Sequence, residues 1–113
     1  MVKKLGSLGE KKAAQALGAA GYEIIAQNWR CRHGEIDLVA KDGPVLVFVE
    51  VKTRTTDSRG TAAEAVDFRK QNKLRQLARH FVYETGLTAS AYRFDVVTVT
   101  GRDNTVRIIK NAF

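Results

Sequence analysis

Residues 34–54 read Gly34-Glu35-Ile36-Asp37-Leu38-Val39-Ala40-Lys41-Asp42-Gly43-Pro44-Val45-Leu46-Val47-Phe48-Val49-Glu50-Val51-Lys52-Thr53-Arg54. Two apolar-rich runs flank Asp42-Gly43, a dipeptide that marks a tight turn between antiparallel strands. The pattern predicts strands over 34–41 and 45–53. The unbroken run Val45 to Val49 has the composition of a central strand covered on both faces. Side chains alternate along a strand, so Glu35, Asp37 and Val39 are expected on one face, and Leu46, Phe48, Glu50 and Lys52 share a face of the next. With Asp42 and Gly43 as the loop, Lys41 pairs with Pro44, Glu35 lies opposite Glu50, and Asp37 lies opposite Phe48 with Glu50 as its diagonal neighbour. Pro44 has no N–H for that closing pair, which favours a four-residue loop, Lys41 to Pro44, in the same register. A three-residue loop without a bulge would put the two charged sets on opposite faces.

Working outward, a helix is predicted from Ser7 to Ala20, with Ser7 and Glu10 spaced as a capping box and Gly21 at the C-terminal cap. Its apolar stripe is Leu5, Leu8, Ala13, Ala16, Leu17 and Ala20. Glu10 lies in line with that stripe and faces inward. A strand begins near Tyr22 and runs into the polar stretch 28–33. Downstream of Lys52, residues 54–60 read as a mobile loop without an apolar anchor. A long helix follows, capped by Asp67, carrying Leu74, Leu77, Ala78, Phe81 and Val82 on one side and ending at Gly86. Strands over 92–100 and 106–110 close the chain around Gly101-Arg102-Asp103-Asn104. The order α-β-β-β-α-β-β argues for one α/β domain over residues 1–113, a mixed central sheet flanked by helices.

Carboxylates gathered on a covered sheet repel each other and lose hydration, an arrangement that is costly unless a cation balances it. Mg²⁺ or Mn²⁺, which prefer oxygen ligands, fit Asp37 and Glu50 as metal ligands. Lys52 points the same way as Glu50, where it can orient a water or stabilise charge developing on a phosphate. Glu10 is either a fourth carboxylate of this site or only a helix cap. Glu35 is either a second ligand or a polar edge residue, with the balance slightly toward the edge reading. Arg54, Arg59, Lys70, Gln71 and Lys73 surround the site and are the candidate nucleic-acid contacts.

Asp37 followed by Glu50-Val51-Lys52 resembles the D…E-x-K signature of PD-(D/E)XK nucleases, with Ile36 where the proline of the motif's name would stand. The first helix with its inward glutamate resembles that of the archaeal Holliday-junction resolvases. Over nearly its whole length the chain is similar to the YraN-type family of small uncharacterised bacterial proteins. That likeness rests on the segment 34–40, on the segment 47–54, on Ala65-Val66-Asp67 with Lys70 and Gln71, and on Arg93-Phe94-Asp95-Val96-Val97. The superfamily resemblance implies a restriction-endonuclease-like αβββαβ core and metal-dependent phosphodiester hydrolysis. Asp37 and Glu50 would be ligands, Lys52 the catalytic lysine, and Glu10 the resolvase-type helix glutamate. It points to an endonuclease acting on DNA, including branched or structured DNA. The alternative is a nucleic-acid-binding module with the same fold and no useful activity.

The whole chain agrees with a polyanionic partner. Its 113 residues carry a net charge of +7, while a 44% hydrophobic content is ordinary for a globular fold. No apolar run reaches membrane-spanning length, and the opening residues lack the apolar core of a signal peptide, so a cytoplasmic protein with no membrane partner is expected. The single cysteine, Cys31, excludes an internal disulfide, and with His33 it makes only half of a zinc site. Trp29 is expected in the core. The pattern leaves a homodimer open.

Overall fold

Alternating strands and two well-marked helix ends produce a five-stranded sheet with a helix against each face. The computed structural model describes residues 5–54, 66–101 and 105–113. Its elements are α1 (Leu5–Ala19), β1 (Glu23–Cys31), β2 (Gly34–Asp42), β3 (Val45–Arg54), α2 (Phe68–Thr85), β4 (Ala91–Thr100) and β5 (Thr105–Ile109). The strands lie in the order β1-β2-β3-β4-β5. β3 and β4 run parallel and the other neighbours antiparallel. A parallel pair needs a crossover connection, and α2 supplies it. This is the mixed sheet that the residue pattern predicts, and it is consistent with the αβββαβ core that the resemblance implies.

Both helices end as their sequences dictate. At the end of α1 the Tyr22 N–H bonds the Leu17 carbonyl and the Gly21 N–H bonds that of Gly18, while Gly21 sits at φ 98°. That is a Schellman cap, and a residue with a Cβ would be strained in it. Asp67 accepts from the Lys70 N–H at 2.9 Å to start α2, and Gly86 at φ 73° stops it. The start of α1 differs from expectation. The helix begins at Leu5, so Ser7 lies inside it rather than at its cap, and the capping-box role of Glu10 lapses.

Each sheet face has its own core. Ala13 and Leu17 of α1 pack on Leu38, Ala40, Val47, Val49, Val97 and Val99. Leu74, Leu77, Ala78 and Phe81 of α2 pack on Ile36, Val39, Leu46 and Phe48. Phe81 is held edge-on by Trp29 at 5.2 Å and Phe48 at 5.8 Å, so Trp29 is a core residue as expected.

The end of the sheet near the β2–β3 turn is closed by a polar network. Fully buried Asp95 receives Arg93 Nε at 2.9 Å, the Tyr22 hydroxyl at 2.8 Å and the Asn111 N–H at 3.0 Å. Arg93 also pairs with Asp42 at 2.9 Å. Burial and the neighbouring Asp95 carboxylate push the Tyr22 hydroxyl well above the usual phenol range, and Arg93 holds the Asp42 carboxyl below its ordinary value. The Arg93-to-Val97 motif therefore ties β4 to β1, β2 and the chain's last turn. It is structural.

Candidate metal and catalytic site

At the opposite end of β2 and β3 the strands part, and there the charged residues converge. The connecting turn is Gly43-Pro44, with Asp42 opposite Val45, Lys41 opposite Leu46 and Val39 opposite Phe48. This differs by two residues from the register expected with Asp42-Gly43 or Lys41 to Pro44 as the loop. Pro44 cannot donate to a closing pair, so the chain places it inside the turn after Gly43 at φ 62°. A two-residue shift preserves which faces meet. It also brings Asp37 level with Glu50 instead of Phe48.

The ladder ends at the Leu38–Val49 pair. Beyond it the Asp37 carboxylate reaches across and accepts the Val51 N–H at 2.9 Å, standing in for the next rung. Strict alternation is also interrupted here. Ile36 packs on the α2 side and Leu38 on the α1 side, and in β1 both Ala26 and Trp29 face α2. The cause lies between Ala26 and Trp29, where Asn28 takes a left-handed conformation at φ 52°, which asparagine tolerates better than most residues. The local flip means that Glu35 and Val39 do not share a face as simple alternation predicts. Glu35 turns instead toward α1.

There it meets Glu10. Asn28 Nδ2 donates to Glu10 Oε1 at 2.6 Å and to Glu35 Oε2 at 2.9 Å, clamping the two carboxylates together. Each of Glu10, Glu35 and Asp37 offers an oxygen within 4.8 Å of the other two. Glu35 is thus more than a polar edge residue, although Arg30 Nε pairs with its other oxygen at 3.2 Å. Gly9 lets α1 approach this closely, since a Cβ there would overlap the Thr53 hydroxyl. Neither Asn28 nor Gly9 was singled out by motif. The signals for them are an asparagine at the head of the polar stretch 28–33 and a glycine inside a predicted helix, next to Glu10.

On the α2 side Glu50 is buried and carries the cations. Lys70 Nζ lies 2.9 Å from Glu50 Oε2, and Lys52 Nζ lies 4.0 Å from the same oxygen. The Asp67 cap fixes the first turn of α2, which positions Lys70. Gln71 Nε2 donates to the Val66 carbonyl at 2.9 Å, so it anchors the entry to α2. The Lys73 stem runs beside Gly34 at the start of β2. The Arg54 side chain and all of Arg59, expected phosphate contacts, lie outside the described residues, as do the loop 55–65 and the turn residues 102–104. Cys31 is free, and His33 stacks on His80 at 4.2 Å.

The electrostatics follow from burial and crowding. Burial first, and then the Glu50, Glu10 and Glu35 charges, push the Asp37 carboxyl up to about 7, against the opposing Val51 hydrogen bond. Burial and the Lys70 charge lower Lys52 from its ordinary value. The hydrogen bond to Glu50 raises Lys70. An all-oxygen set of three carboxylates, one of them destabilised as an anion near neutral pH, suits a hard divalent ion. Asp37 belongs to that set, with Glu50 on its other flank as a further oxygen donor once Lys70 is displaced.

The model of the uncharacterised protein family UPF0102 matches residues 9–99. A UPF0102 protein of Symbiobacterium thermophilum is 50% identical over 116 residues, covering 100% of this chain and 98% of its own. One of Alkaliphilus metalliredigens is 43% identical over 114 residues and the full length of both chains. One of Frankia casuarinae is 51% identical over 96 residues, 85% of this chain and 81% of its own.

Proposed function

The chain belongs to this uncharacterised bacterial family, UPF0102, the YraN-type family its motifs resemble, and from that premise we propose that it is a metal-dependent endonuclease hydrolysing phosphodiester bonds in DNA, branched or structured DNA included. The observation that carries the reading is the convergence of Glu10, Glu35 and Asp37 with Glu50, Lys52 and Lys70 where β2 and β3 part. Carboxylates from a helix and two strands do not gather against three like charges to stabilise a fold.

Asp37, Glu10 and Glu35 would hold Mg²⁺ or Mn²⁺, with Glu50 completing the set. When bound, the ion supplies Lewis-acid activation of water and offsets charge on the phosphate. Lys52 directs its ammonium to the phosphorus centre, where negative charge builds during attack. The Asp37–Val51 bond holds the carboxylate across the strand gap. Asn28 orients Glu10 and Glu35. In the net step a water oxygen forms a new bond to phosphorus, the bond to one sugar oxygen breaks, and that oxygen leaves with a proton. Lys70 and Lys73, with Arg54 at the end of β3 and Arg59 in the sequence beyond it, would bind the strand's phosphates.

The second reading is a nucleic-acid-binding module without useful cleavage. The observation that favours it is the Lys70–Glu50 pair, which already neutralises one expected ligand. One experiment separates the two. Lys52→Ala should bind four-way DNA as wild type does and cut it about 10²–10³ times more slowly in Mg²⁺ or Mn²⁺. Absence of cutting by wild type over linear, flapped and four-way substrates with both ions would leave the module reading. Equal cutting by mutant and wild type would place the chemistry elsewhere.

A further inference from the structure

A second feature lies on the α2 face, away from the carboxylates. A cleft of about 500 Å³ opens between the C-terminal half of α2 and the first residues of β4. Phe48 and Phe94 form its floor, Tyr83 and Tyr92 its walls, and Arg75 and Arg79 its rim. Tyr83 is 87% exposed and Tyr92 47%, an unusual pair of rings to leave in water beside an open apolar floor. The Arg75 guanidinium lies 5.3 Å from the Phe113 ring centre and 5.9 Å from that of Phe94, and donates to Asn72 Oδ1 at 3.3 Å. Neither arginine has a carboxylate partner among the described residues.

We propose that this cleft binds unpaired nucleotides of a DNA strand, stacking bases on Tyr83 and Tyr92 while Arg75 and Arg79 take the flanking phosphates. The inference rests on the nuclease reading for its choice of DNA and extends it to an open-strand site. The volume is that of a site for a nucleotide-sized ligand. The chemistry is the combination used for single strands, flat rings for bases and a cationic border for the backbone, with no polar groups placed to read a base edge. A duplex presents its bases stacked inward and cannot fill an apolar cleft. A second copy of the chain is a poor occupant. A two-fold contact places the same patch on both sides and would gather both copies of Arg75 and Arg79 in one interface with no carboxylate among the lining residues to meet them. Arg79 stands nine residues beyond Lys70 on α2, about 13 Å along the helix and half a turn round it, so a strand that reaches both crosses over α2. That geometry suits DNA in which a single-stranded stretch adjoins the position to be cut.

The test measures fluorescence anisotropy of a labelled twelve-residue oligothymidylate and of a labelled 20-bp duplex, in EDTA, so that cleavage plays no part. Tyr83→Ala with Tyr92→Ala should weaken oligothymidylate binding about 25-fold or more, since each stacked base lost costs about 5-fold or more, and change duplex binding less than twofold. Tyr83→Phe with Tyr92→Phe should retain the affinity, because the rings remain. Equal losses on both DNAs, or no loss on either, overturns the proposal. So does wild-type self-association, by sedimentation, that the alanine variant abolishes. Selective loss from a protein that never cuts DNA would sink the nuclease reading and keep this site. Cutting without selective loss would do the reverse.

Discussion

Asp37→Asn should make the metal-free protein more stable at pH 8. In the fold the carboxyl is raised from 3.8 to about 7, chiefly by burial and then by the Glu50 charge. A carboxyl raised on folding holds a proton that the unfolded chain has already released. Its contribution therefore opposes folding progressively as pH rises from about 4 to about 7, and is constant above. Three units correspond to at most about 4 kcal/mol at pH 8, of which under half is present at pH 5. Asparagine never ionises, and its Oδ1 can still accept the Val51 N–H. Side-chain relaxation and solvent screening reduce the figure, so the advantage of Asp37→Asn should grow by about 1–3 kcal/mol between pH 5 and pH 8. Urea unfolding in EDTA at both pH values measures it, because titrating groups remote from Asp37 cancel between wild type and variant, leaving Asp37 and the carboxylates it faces. Parallel stability curves would refute the account of Asp37 as a strained buried acid. Mg²⁺ added at pH 8 should recover the deficit in wild type and leave the variant unmoved.

Mn²⁺ affinity should weaken about tenfold per unit as pH falls below 7 and level off above it, because the ion must displace the Asp37 proton. Titration calorimetry from pH 5.5 to 8.5 checks this, and a flat profile would remove Asp37 from the ligand set. Lys70→Ala should tighten Mn²⁺ binding several-fold, since the ammonium 2.9 Å from Glu50 competes for the same oxygen. An unchanged affinity would mean that Glu50 is not a ligand. Arg93→Met should cost about 3 kcal/mol in chemical unfolding by leaving buried Asp95 without its cation, with Mn²⁺ affinity intact. A loss below about 1 kcal/mol would show that Tyr22 and Asn111 suffice.

The fold was legible because its signals are local. Asp67 and Gly86 bound α2, the stripe from Leu74 to Phe81 sets its buried face, and the valine run of β3 marks a strand covered on both sides. The site was legible in part. Spacing brought Asp37, Glu50 and Lys52 together, and the inward face of α1 gave Glu10. Register was displaced by two residues because Pro44 belongs in the turn, and only the face relation survived. The face of Glu35 departs from simple alternation because one left-handed residue, Asn28, interrupts the strand beside it. No periodic pattern encodes that. Lys70 was expected to contact nucleic acid, yet it bonds Glu50, because helix capping sets where the first turn of α2 points.

The two ends of the sheet treat a buried carboxylate in opposite ways, and the contrast bears on what each end is for. Asp95 is wholly buried, yet a guanidinium, a hydroxyl and a backbone N–H meet its charge. Nothing further is needed there, and the motif around it reads as architecture. Asp37 has one backbone N–H and three carboxylates pressing on it. The two lysines nearby serve Glu50 and stand on the α2 side, while Glu10 and Glu35 on the α1 side are bridged by the neutral amide of Asn28, with the exposed Arg30 on the outer oxygen of Glu35. Among the described residues no ion pair reaches Glu10 or Asp37, so the charge imbalance is local to those two and the inner oxygen of Glu35. A divalent ion, if bound among their oxygens as proposed, would offset it without disturbing either core, whereas a lysine or arginine in the same place would have built a second Asp95.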